Sequence, residues 1–137
     1  RVARLNLGKN CHIIEGDITS KEILKKLPKA GTVDLVTCSY CLTMIPPWEK
    51  AAESMVNLLK KGGNMAIIDF TERQAAIGAR NQPFYTWWFA QDGVWLNQDQ
   101  PAWLRKNLKT PWYSEAEAHL PYTTFYPTHY LFCGEKK

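Results

Sequence analysis

The sequence predicts an α/β fold in which parallel strands alternate with helices. Two short, mostly apolar runs, residues 33–38 (Val-Asp-Leu-Val-Thr-Cys) and 65–70 (Met-Ala-Ile-Ile-Asp-Phe), are typical of strands covered on both faces. Between them, the apolar residues of segment 48–59 fall on one helical face. A strand–helix–strand order implies a right-handed parallel crossover, so we expect a three-layer arrangement with helices on both faces of the sheet.

A further strand and helix are predicted before this unit. Residues 10–15 (Asn-Cys-His-Ile-Ile-Glu) have the character of a short strand. Thr19 and Glu22 have the spacing of a capping box, in which a hydroxyl begins a helix and a glutamate follows three residues later. The helix that follows should end before Pro28.

Proline and glycine mark the limits of the helix predicted at 48–59. Pro46 and Pro47 suit its first turn, where a missing N–H costs little. Gly62 can adopt the left-handed conformation that commonly terminates a helix.

The pattern changes after Phe70. An aromatic segment, residues 83–89, leads to a turn at 92–94, and Asp99 is expected to cap another short helix. An antiparallel hairpin is predicted around Pro127, with strands at 122–125 and 129–133. The chain therefore divides into a parallel α/β part (1–70), an aromatic-rich helical insertion (71–121) and a terminal hairpin (122–137).

Composition excludes several classes of protein. With 137 residues the chain forms one domain, and neither a membrane-spanning run nor a signal peptide is visible. The net charge of +4 comes without a basic block interleaved with aromatics, so no nucleic-acid partner is predicted. Cys38 and Cys41 have C-x-x-C spacing, but no second pair completes a zinc site. We expect reduced thiols, no metal and cytosolic-type chemistry.

Candidate site residues follow the predicted strands, because ligands of such sheets bind outside the carboxyl ends of the strands. The three groups there are Gly16-Asp17-Ile18, Ser39-Tyr40 and Asp69-Phe70. Asp17 either accepts a hydrogen bond from the amino group of an adenine, with Ile18 covering the ring, or caps the next turn. Tyr40 either faces a reacting group or packs locally.

These pieces resemble the class I S-adenosylmethionine-dependent methyltransferases. The resemblance rests on Glu-Gly-Asp-Ile (15–18), on residues 33–40, and on residues 58–70, where a helix, a Lys-x-Gly-Gly-like step and an apolar strand follow one another. It implies a Rossmann-like sheet, incomplete at its N-terminal side, with a C-terminal antiparallel hairpin, and S-adenosylmethionine as the cofactor.

A narrower resemblance concerns residues 39–48 (Ser-Tyr-Cys-Leu-Thr-Met-Ile-Pro-Pro-Trp) and 88–94 (Trp-Phe-Ala-Gln-Asp-Gly-Val). Both look like the methyltransferase part of betaine-lipid synthases, which N-methylate a diacylglyceryl-homoserine headgroup to its trimethyl form. By this resemblance, cofactor binding falls to Asp17, Ile18 and Ser39, the methyl-transfer site to Ser39 and Tyr40, and substrate binding to Tyr40, Trp88, Asp92 and Gly93.

Aromatic side chains agree with that chemistry, because aromatic faces favour the quaternary ammonium group of the product. Tyr40, Tyr85, Trp87 and Trp88 are the candidates, and packing in a core or a lid is their alternative role. Exposed aromatics beside basic residues also suggest peripheral contact with a membrane that carries the lipid substrate. The expected location is cytoplasmic or peripheral on an intracellular membrane.

Two parts of the methyltransferase pattern are missing. Such an enzyme needs a glycine-rich turn after its first strand and an acidic residue at the end of its second strand to hold the ribose hydroxyls. No Gly-x-Gly occurs here, and residues 1–7 look like the tail of a helix that would follow that second strand. The chain begins at Arg1 rather than Met, which suggests a fragment, a processed form or part of something longer. The truncated sheet would expose a strand edge near His12, which usually demands a partner.

Two hypotheses therefore remain for function. In the first, the chain is part of a complete N-methyltransferase acting on a lipid or small amine. In the second, it is a degenerate, non-catalytic methyltransferase-like subunit whose open edge is covered by another protein. A methyltransferase acting on a quinone or another small molecule is a third possibility, since fold does not fix substrate.

Overall fold

The computed structural model describes residues 10–72, 82–117 and 127–137. A 3-10 turn at Leu42–Met44 follows the first strand. The helices and strands are α1 (Lys21–Leu24), β1 (Val33–Ser39), α2 (Trp48–Leu58), β2 (Leu59–Phe70), α3 (Gln82–Gln91), α4 (Asp99–Asn107), β3 (Leu108–Glu117) and β4 (Thr128–Lys136).

The four strands form one mixed sheet in the order β1-β2-β4-β3. β1 and β2 are parallel, with Cys38 opposite Ile67, and the helix α2 connects them, as predicted. β4 lies antiparallel to both β2 and β3. The predicted α/β fold with a C-terminal antiparallel hairpin is therefore confirmed.

The first strand of the hairpin differs from the prediction. It is β3, at Leu108–Glu117, whereas the expected strand at 122–125 lies outside the described residues. Pro111 concealed this strand in the sequence, because proline cannot donate a ladder hydrogen bond and is confined to edge strands or bulges. β3 is an edge strand, and its register shifts between Lys109 and Trp112 around this proline.

The core lies between the sheet and the helices α2 and α4. Ala51 and Ala52 of α2 and Leu104 of α4 have no solvent exposure. They pack with alternate side chains of the strands, among them Met65, Ile67, Tyr130 and Phe132. The apolar face predicted for segment 48–59 is thus the buried face of α2.

The opposite face of the sheet is open among the described residues. Leu35 in β1 is 54% exposed and Trp112 in β3 is 51% exposed, and Thr37 and Ser39 are also exposed. Three layers were expected, but the described part of the chain has two, which are the sheet and the helices on one of its faces. β1 has no neighbour on its outer side there, so the open edge is β1 rather than a strand near His12.

The predicted strand at 10–15 is absent: these residues are irregular, and Ile13 is 78% exposed. A strand forms only where a neighbour satisfies its backbone N–H and C=O groups, and β1 does not pair with this segment. The helix that follows is one turn long, and Ser20 rather than Thr19 caps it, since Ser20 Oγ accepts from the Ile23 N–H at 3.3 Å.

Two other helix ends differ in detail. Pro47 precedes α2 and its carbonyl accepts from the Lys50 N–H at 3.0 Å, close to the predicted start. Gly62 does adopt a left-handed backbone (φ +77°), but it lies within β2, because α2 already ends at Leu58. For α4, Asn97 Oδ1 accepts from the Gln100 N–H at 3.1 Å, so Asn97 rather than Asp99 caps the first turn.

Within residues 10–72, 82–117 and 127–137, no helix combines the length and the apolar character that a membrane crossing requires.

Candidate functional site

The carboxyl ends of β1 and β2 meet at one edge of the sheet. Ser39 lies opposite Ile68, and the Tyr40 N–H donates to the Ile68 carbonyl at 2.8 Å. Two of the predicted groups, Ser39-Tyr40 and Asp69-Phe70, are thereby neighbours. Tyr40 has a positive φ of 48°, which is uncommon for a bulky residue, so the backbone turns sharply where β1 ends.

Three aromatic rings, which we call the aromatic row, connect these strand ends to α3. The Tyr40 and Phe70 ring centroids are 4.8 Å apart, and those of Phe70 and Phe89 are 4.7 Å apart. Both pairs are tilted, a favoured geometry for aromatic rings. Tyr40 remains 38% exposed, so one end of the row is open to solvent.

Asp69 directly precedes Phe70 in β2 and has no solvent exposure. Its Oδ2 accepts from the backbone N–H groups of Cys41, Leu42 and Thr43 at 3.1, 2.7 and 3.2 Å. Its Oδ1 accepts from the Thr43 hydroxyl at 2.6 Å and from the Phe70 N–H at 2.8 Å. The carboxylate therefore holds the turn that follows Tyr40.

Asp17 is exposed and makes the local cap that was one of its two predicted roles. Its Oδ1 accepts from both the N–H and the hydroxyl of Thr19 at 2.8 Å. The backbone hydrogen bond from Thr19, followed by its side-chain hydrogen bond, holds the pKa of Asp17 below its usual range. Because a carboxylate has about four acceptor positions, this capping leaves room for a ligand hydrogen bond.

A cleft of about 520 Å³ opens beside Asp17. One wall is Gly16-Asp17-Ile18, and the other comes from segment 41–47 and Met55. Gly16 has φ +149°, and a Cβ there would lie 2.2 Å from Ile23 Cδ1, so this wall requires glycine. An apolar cleft with a carboxylate at its rim suits a flat heterocycle that carries an amino group.

Ser39 does not line this cleft. It lies on the open face of the sheet, in a separate hollow of about 330 Å³ with Thr37, Ala66 and Ile68. Tyr40, its neighbour in the chain, is the residue that reaches the aromatic row. The structure thus brings Tyr40, but not the Ser39 side chain, to the region between the cleft and α3.

The predicted substrate residues Trp88, Asp92 and Gly93 lie at the C-terminal end of α3. Trp88 lies within α3, whereas Asp92 and Gly93 (φ +72°) form the turn that follows the last helical residue, Gln91. Trp88 also belongs to an exposed cluster with Phe84 and Trp87, whose ring centroids are 5.9 to 6.4 Å apart. Phe89, between these residues in the chain, links α3 to Tyr40 through Phe70.

A family model for a methyltransferase domain matches residues 9–129, which is most of the chain. The chain belongs to the methyltransferase domain family. The predicted cofactor is confirmed at the level of this family, whose methyl donor is S-adenosylmethionine.

Solved structures place the methyltransferase domain in the same fold. A protein of Bacillus halodurans assigned as a methyltransferase has a TM-score of 0.69 at 16% identity, over 98% of this chain and 77% of its own. A protein of Galdieria sulphuraria assigned as a sarcosine dimethylglycine methyltransferase has a TM-score of 0.71 at 14% identity, over 99% of this chain and 63% of its own.

A third structure was solved with the product of the methyl donor. It is the phosphoethanolamine N-methyltransferase 2 of Haemonchus contortus, in complex with phosphomonomethylethanolamine and S-adenosylhomocysteine, with a TM-score of 0.57 at 11% identity. The match covers 80% of this chain and 35% of that protein. No curated protein matched the sequence. This chain thus spans from about a third to about three quarters of the length of these three proteins.

Two functional candidates in the methyltransferase domain escaped the sequence analysis. Asp69 was noted only as a strand end, since no sequence pattern shows that one carboxylate will meet five donors. His129 was not among the predicted site residues, but it lies opposite Phe70 in the sheet, and its Nδ1 is buried without a hydrogen-bond partner in the described residues. The signal for His129 was its place at the start of the strand paired with β2.

Proposed function

We propose that the chain is part of an S-adenosylmethionine-dependent N-methyltransferase whose acceptor is the amine of a betaine-lipid headgroup precursor, diacylglyceryl homoserine. The aromatic row carries this proposal, because it joins the strand ends beside the cofactor cleft to the α3 segment that resembles betaine-lipid synthases. The resemblance at 39–48 and 88–94 supplies the acceptor class.

The residues around the cleft fit the adenosine end of the cofactor. S-adenosylmethionine supplies an electrophilic methyl group carried on a sulfonium. Asp17 would accept from the adenine amino group while Ile18 and Met44 contact the ring faces. Tyr40 directly precedes the cleft wall formed by segment 41–47 and turns out of β1 at a positive φ, which supports a position beside the transferred methyl group.

The acceptor amine must reach this position uncharged, with its lone pair directed at the methyl carbon, so orientation contributes most of the acceleration. The product gains a fixed positive charge, which the faces of Tyr40, Phe70 and Phe89 would stabilise. Among the relatives, the Haemonchus and Galdieria proteins bear names of amine methyltransferases, which supports the nitrogen acceptor.

The exposed cluster on α3 supports contact with a lipid surface. Trp87 is 58% exposed and Phe84 is 49% exposed, and aromatic rings of this kind favour the boundary between headgroups and acyl chains. We therefore propose a cytoplasmic protein that binds an intracellular membrane peripherally.

The test is an activity assay of the chain extended through its upstream coding sequence. Purified protein, S-adenosylmethionine and vesicles containing diacylglyceryl homoserine should give the mono-, di- and trimethylated lipid by mass spectrometry. Sarcosine, phosphoethanolamine and a quinone serve as alternative acceptors. Methylation of one of these without the lipid would refute the lipid acceptor, and methylation of the quinone alone would also refute the nitrogen acceptor.

The open sheet face favours a second candidate, a non-catalytic methyltransferase-like subunit. Exposed Leu35 and Trp112, with the edge of β1 that has no strand partner among the described residues, offer a surface that a partner protein would cover. Calorimetric titration of S-adenosylmethionine separates the two functions. Micromolar-range binding by the extended protein supports the enzyme, whereas no binding by a folded extended protein supports the subunit.

A further inference from the structure

We infer that Asp69 is a positioning residue that fixes Tyr40 and one wall of the cofactor cleft without touching either ligand. Its effect on catalysis rests on the proposed function, whereas its effect on the turn rests on geometry alone. Asp69 acts through the 3-10 turn at Leu42–Met44. Its carboxylate accepts hydrogen bonds from the N–H groups at the start of this turn.

The bonding pattern of Asp69 is that of a helix cap supplied from another strand. N–H groups at the start of a helical turn have no intrahelical partner and attract a negative charge. Cys41 and Leu42 bring no acceptor side chain to this turn, so the adjacent strand supplies one, across 28 and 27 residues of sequence. Within the described residues, the hydrogen-bond donors to Asp69 are backbone N–H groups and one hydroxyl, with no cation.

Tyr40 needs such support because of its backbone conformation. A non-glycine residue at positive φ is strained and persists only where its surroundings impose that conformation. Two consecutive hydrogen bonds impose it here: Tyr40 N–H donates to the Ile68 carbonyl at 2.8 Å, and Cys41 N–H donates to Asp69 Oδ2 at 3.1 Å. Loss of the second bond would release the peptide that follows Tyr40.

The same turn forms a wall of the cofactor cleft. Cys41, Met44 and Ile45 line the cleft, and Leu42 and Thr43 between them are buried against Asp69. Movement of the turn would therefore displace both Tyr40 and the surface opposite Asp17. Asp69 links the two halves of the proposed site, although all five of its hydrogen bonds stay inside the protein.

A graded set of variants tests this inference. Asp69→Asn removes the negative charge that strengthens all five hydrogen bonds, and it replaces one oxygen with an amide donor that opposes either the N–H groups of 41–43 or the Phe70 N–H. Thr43→Val removes one hydroxyl donor, and Thr43→Ser keeps it. Thr32→Val is the matched control, because it removes a hydroxyl that donates to the Lys29 carbonyl at 2.6 Å, away from the turn.

The first readout is amide hydrogen exchange by NMR, which needs no activity. We expect exchange at Cys41, Leu42 and Thr43 to accelerate about tenfold in Asp69→Asn, the equivalent of one lost hydrogen bond, and less in Thr43→Val. Amides of α2 and β4 should keep their protection, and Thr43→Ser and Thr32→Val should match the wild type at 41–43. Unchanged exchange at 41–43 in both Asp69→Asn and Thr43→Val would overturn the inference.

The second readout is kinetic and uses the extended protein. A positioning role predicts that Asp69→Asn lowers kcat about tenfold and weakens S-adenosylmethionine binding, with the KM for the amine nearly unchanged and with Thr43→Ser retaining activity. Equal loss in all variants, or a change in the amine KM alone, contradicts it. A wild-type protein without methyl transfer refutes the proposed function instead, and the exchange data still decide whether Asp69 holds the turn.

Discussion

Two carboxylates in this domain accept hydrogen bonds from nearby backbone N–H groups, yet their surroundings differ completely. Asp17 lies on the surface at the rim of a cleft, and its capping partner is Thr19, two residues away. Asp69 lies in the core, and its oxygens accept from five donors, four of them from residues 26 to 28 positions away. Asp17 therefore stabilises an exposed turn within one short segment, whereas Asp69 connects the end of β2 to the turn that follows β1.

This contrast shows that a carboxylate's burial, and the number of its acceptor positions already in use, decide whether it can bind a ligand or only stabilise its neighbours. A carboxylate with free acceptor positions beside a cleft can take a ligand, whereas a saturated, buried carboxylate can only fix its neighbours. The two roles also predict opposite responses to substitution. Changes at Asp17 should affect ligand binding more than folding, because its cap is exposed and local, whereas changes at Asp69 should affect both.

The largest expected effect is that of Asp69→Ala on stability. The substitution removes the acceptor of four backbone N–H groups and one hydroxyl, and each such group left buried without a partner costs about 1 to 3 kcal/mol. We expect the free energy of unfolding to fall by about 3 kcal/mol or more, measured by urea denaturation followed by circular dichroism.

Asp34→Ala is the control for this measurement. Asp34 forms an ion pair with Lys60 on the surface, so its removal should leave the unfolding midpoint nearly unchanged. If Asp69→Ala were no more destabilising than Asp34→Ala, the distinction between the two kinds of carboxylate would fail.

Gly16→Ala should have the next largest effect, because it acts on the support of Asp17. The added Cβ would lie 2.2 and 2.5 Å from Cδ1 and Cγ1 of the buried Ile23, and φ +149° disfavours any side chain. We expect a loss of about 1 to 3 kcal/mol in the free energy of unfolding, together with weaker cofactor binding.

Gly31→Ala separates strain from steric clash. Gly31 has φ +77° but nothing within 4 Å of an added Cβ, so it reports backbone strain alone. An equal effect of the two substitutions would show that contact with Ile23 does not shape the cleft wall.

The difference between the two carboxylates also marks how far the sequence could predict this site. The strands at 33–38 and 65–70 and the apolar face of α2 were predictable, because their patterns are local and follow burial. The strand at 10–15 was predicted wrongly, since strand formation depends on a neighbour that local pattern does not specify. Asp17 follows an apolar segment and Asp69 lies near the end of another, so their sequence contexts are alike. Only the tertiary structure reveals that hydrogen bonds fill the acceptor positions of Asp69 and leave some of those of Asp17 free.

Asp17 itself should respond to pH in a defined direction. Its pKa is lowered by the hydrogen bonds from Thr19, so the ionised form, and any stabilisation it brings, persists until the pH falls through that lowered value. Cofactor affinity that depends on the carboxylate should therefore stay constant from about pH 8 to pH 5. Isothermal titration calorimetry across this range measures it.

Thr19→Val and Asp17→Ala sharpen this test. Thr19→Val removes the side-chain hydrogen bond, so the pKa of Asp17 should rise towards its usual value and the loss of affinity should begin at a higher pH. Asp17→Ala should weaken cofactor binding about tenfold, the value of one hydrogen bond to a charged group, with a smaller loss of stability than Asp69→Ala causes, because the cap that it removes is exposed and local. An unaltered affinity in Asp17→Ala would leave Asp17 only its capping role.

The smallest expected effect concerns two thiols, Cys38 and Cys41, that precede the turn that Asp69 holds. Burial raises the pKa of Cys38 to about 12, aided by the neighbouring Cys41 and by the charge of Asp69, so only about one Cys38 in ten thousand is ionised at pH 8. Cys41 is exposed in the cleft, so iodoacetamide should modify Cys41 before Cys38, and bound S-adenosylmethionine should protect Cys41. Timed labelling with peptide mass spectrometry measures both rates.

In Asp69→Asn the turn should open more often, and Cys38 should be labelled faster than in the wild type. If Cys38 instead keeps its wild-type rate while amides 41–43 lose protection, the turn moves as a surface flap over an intact core, and the support that Asp69 provides ends at the cleft wall.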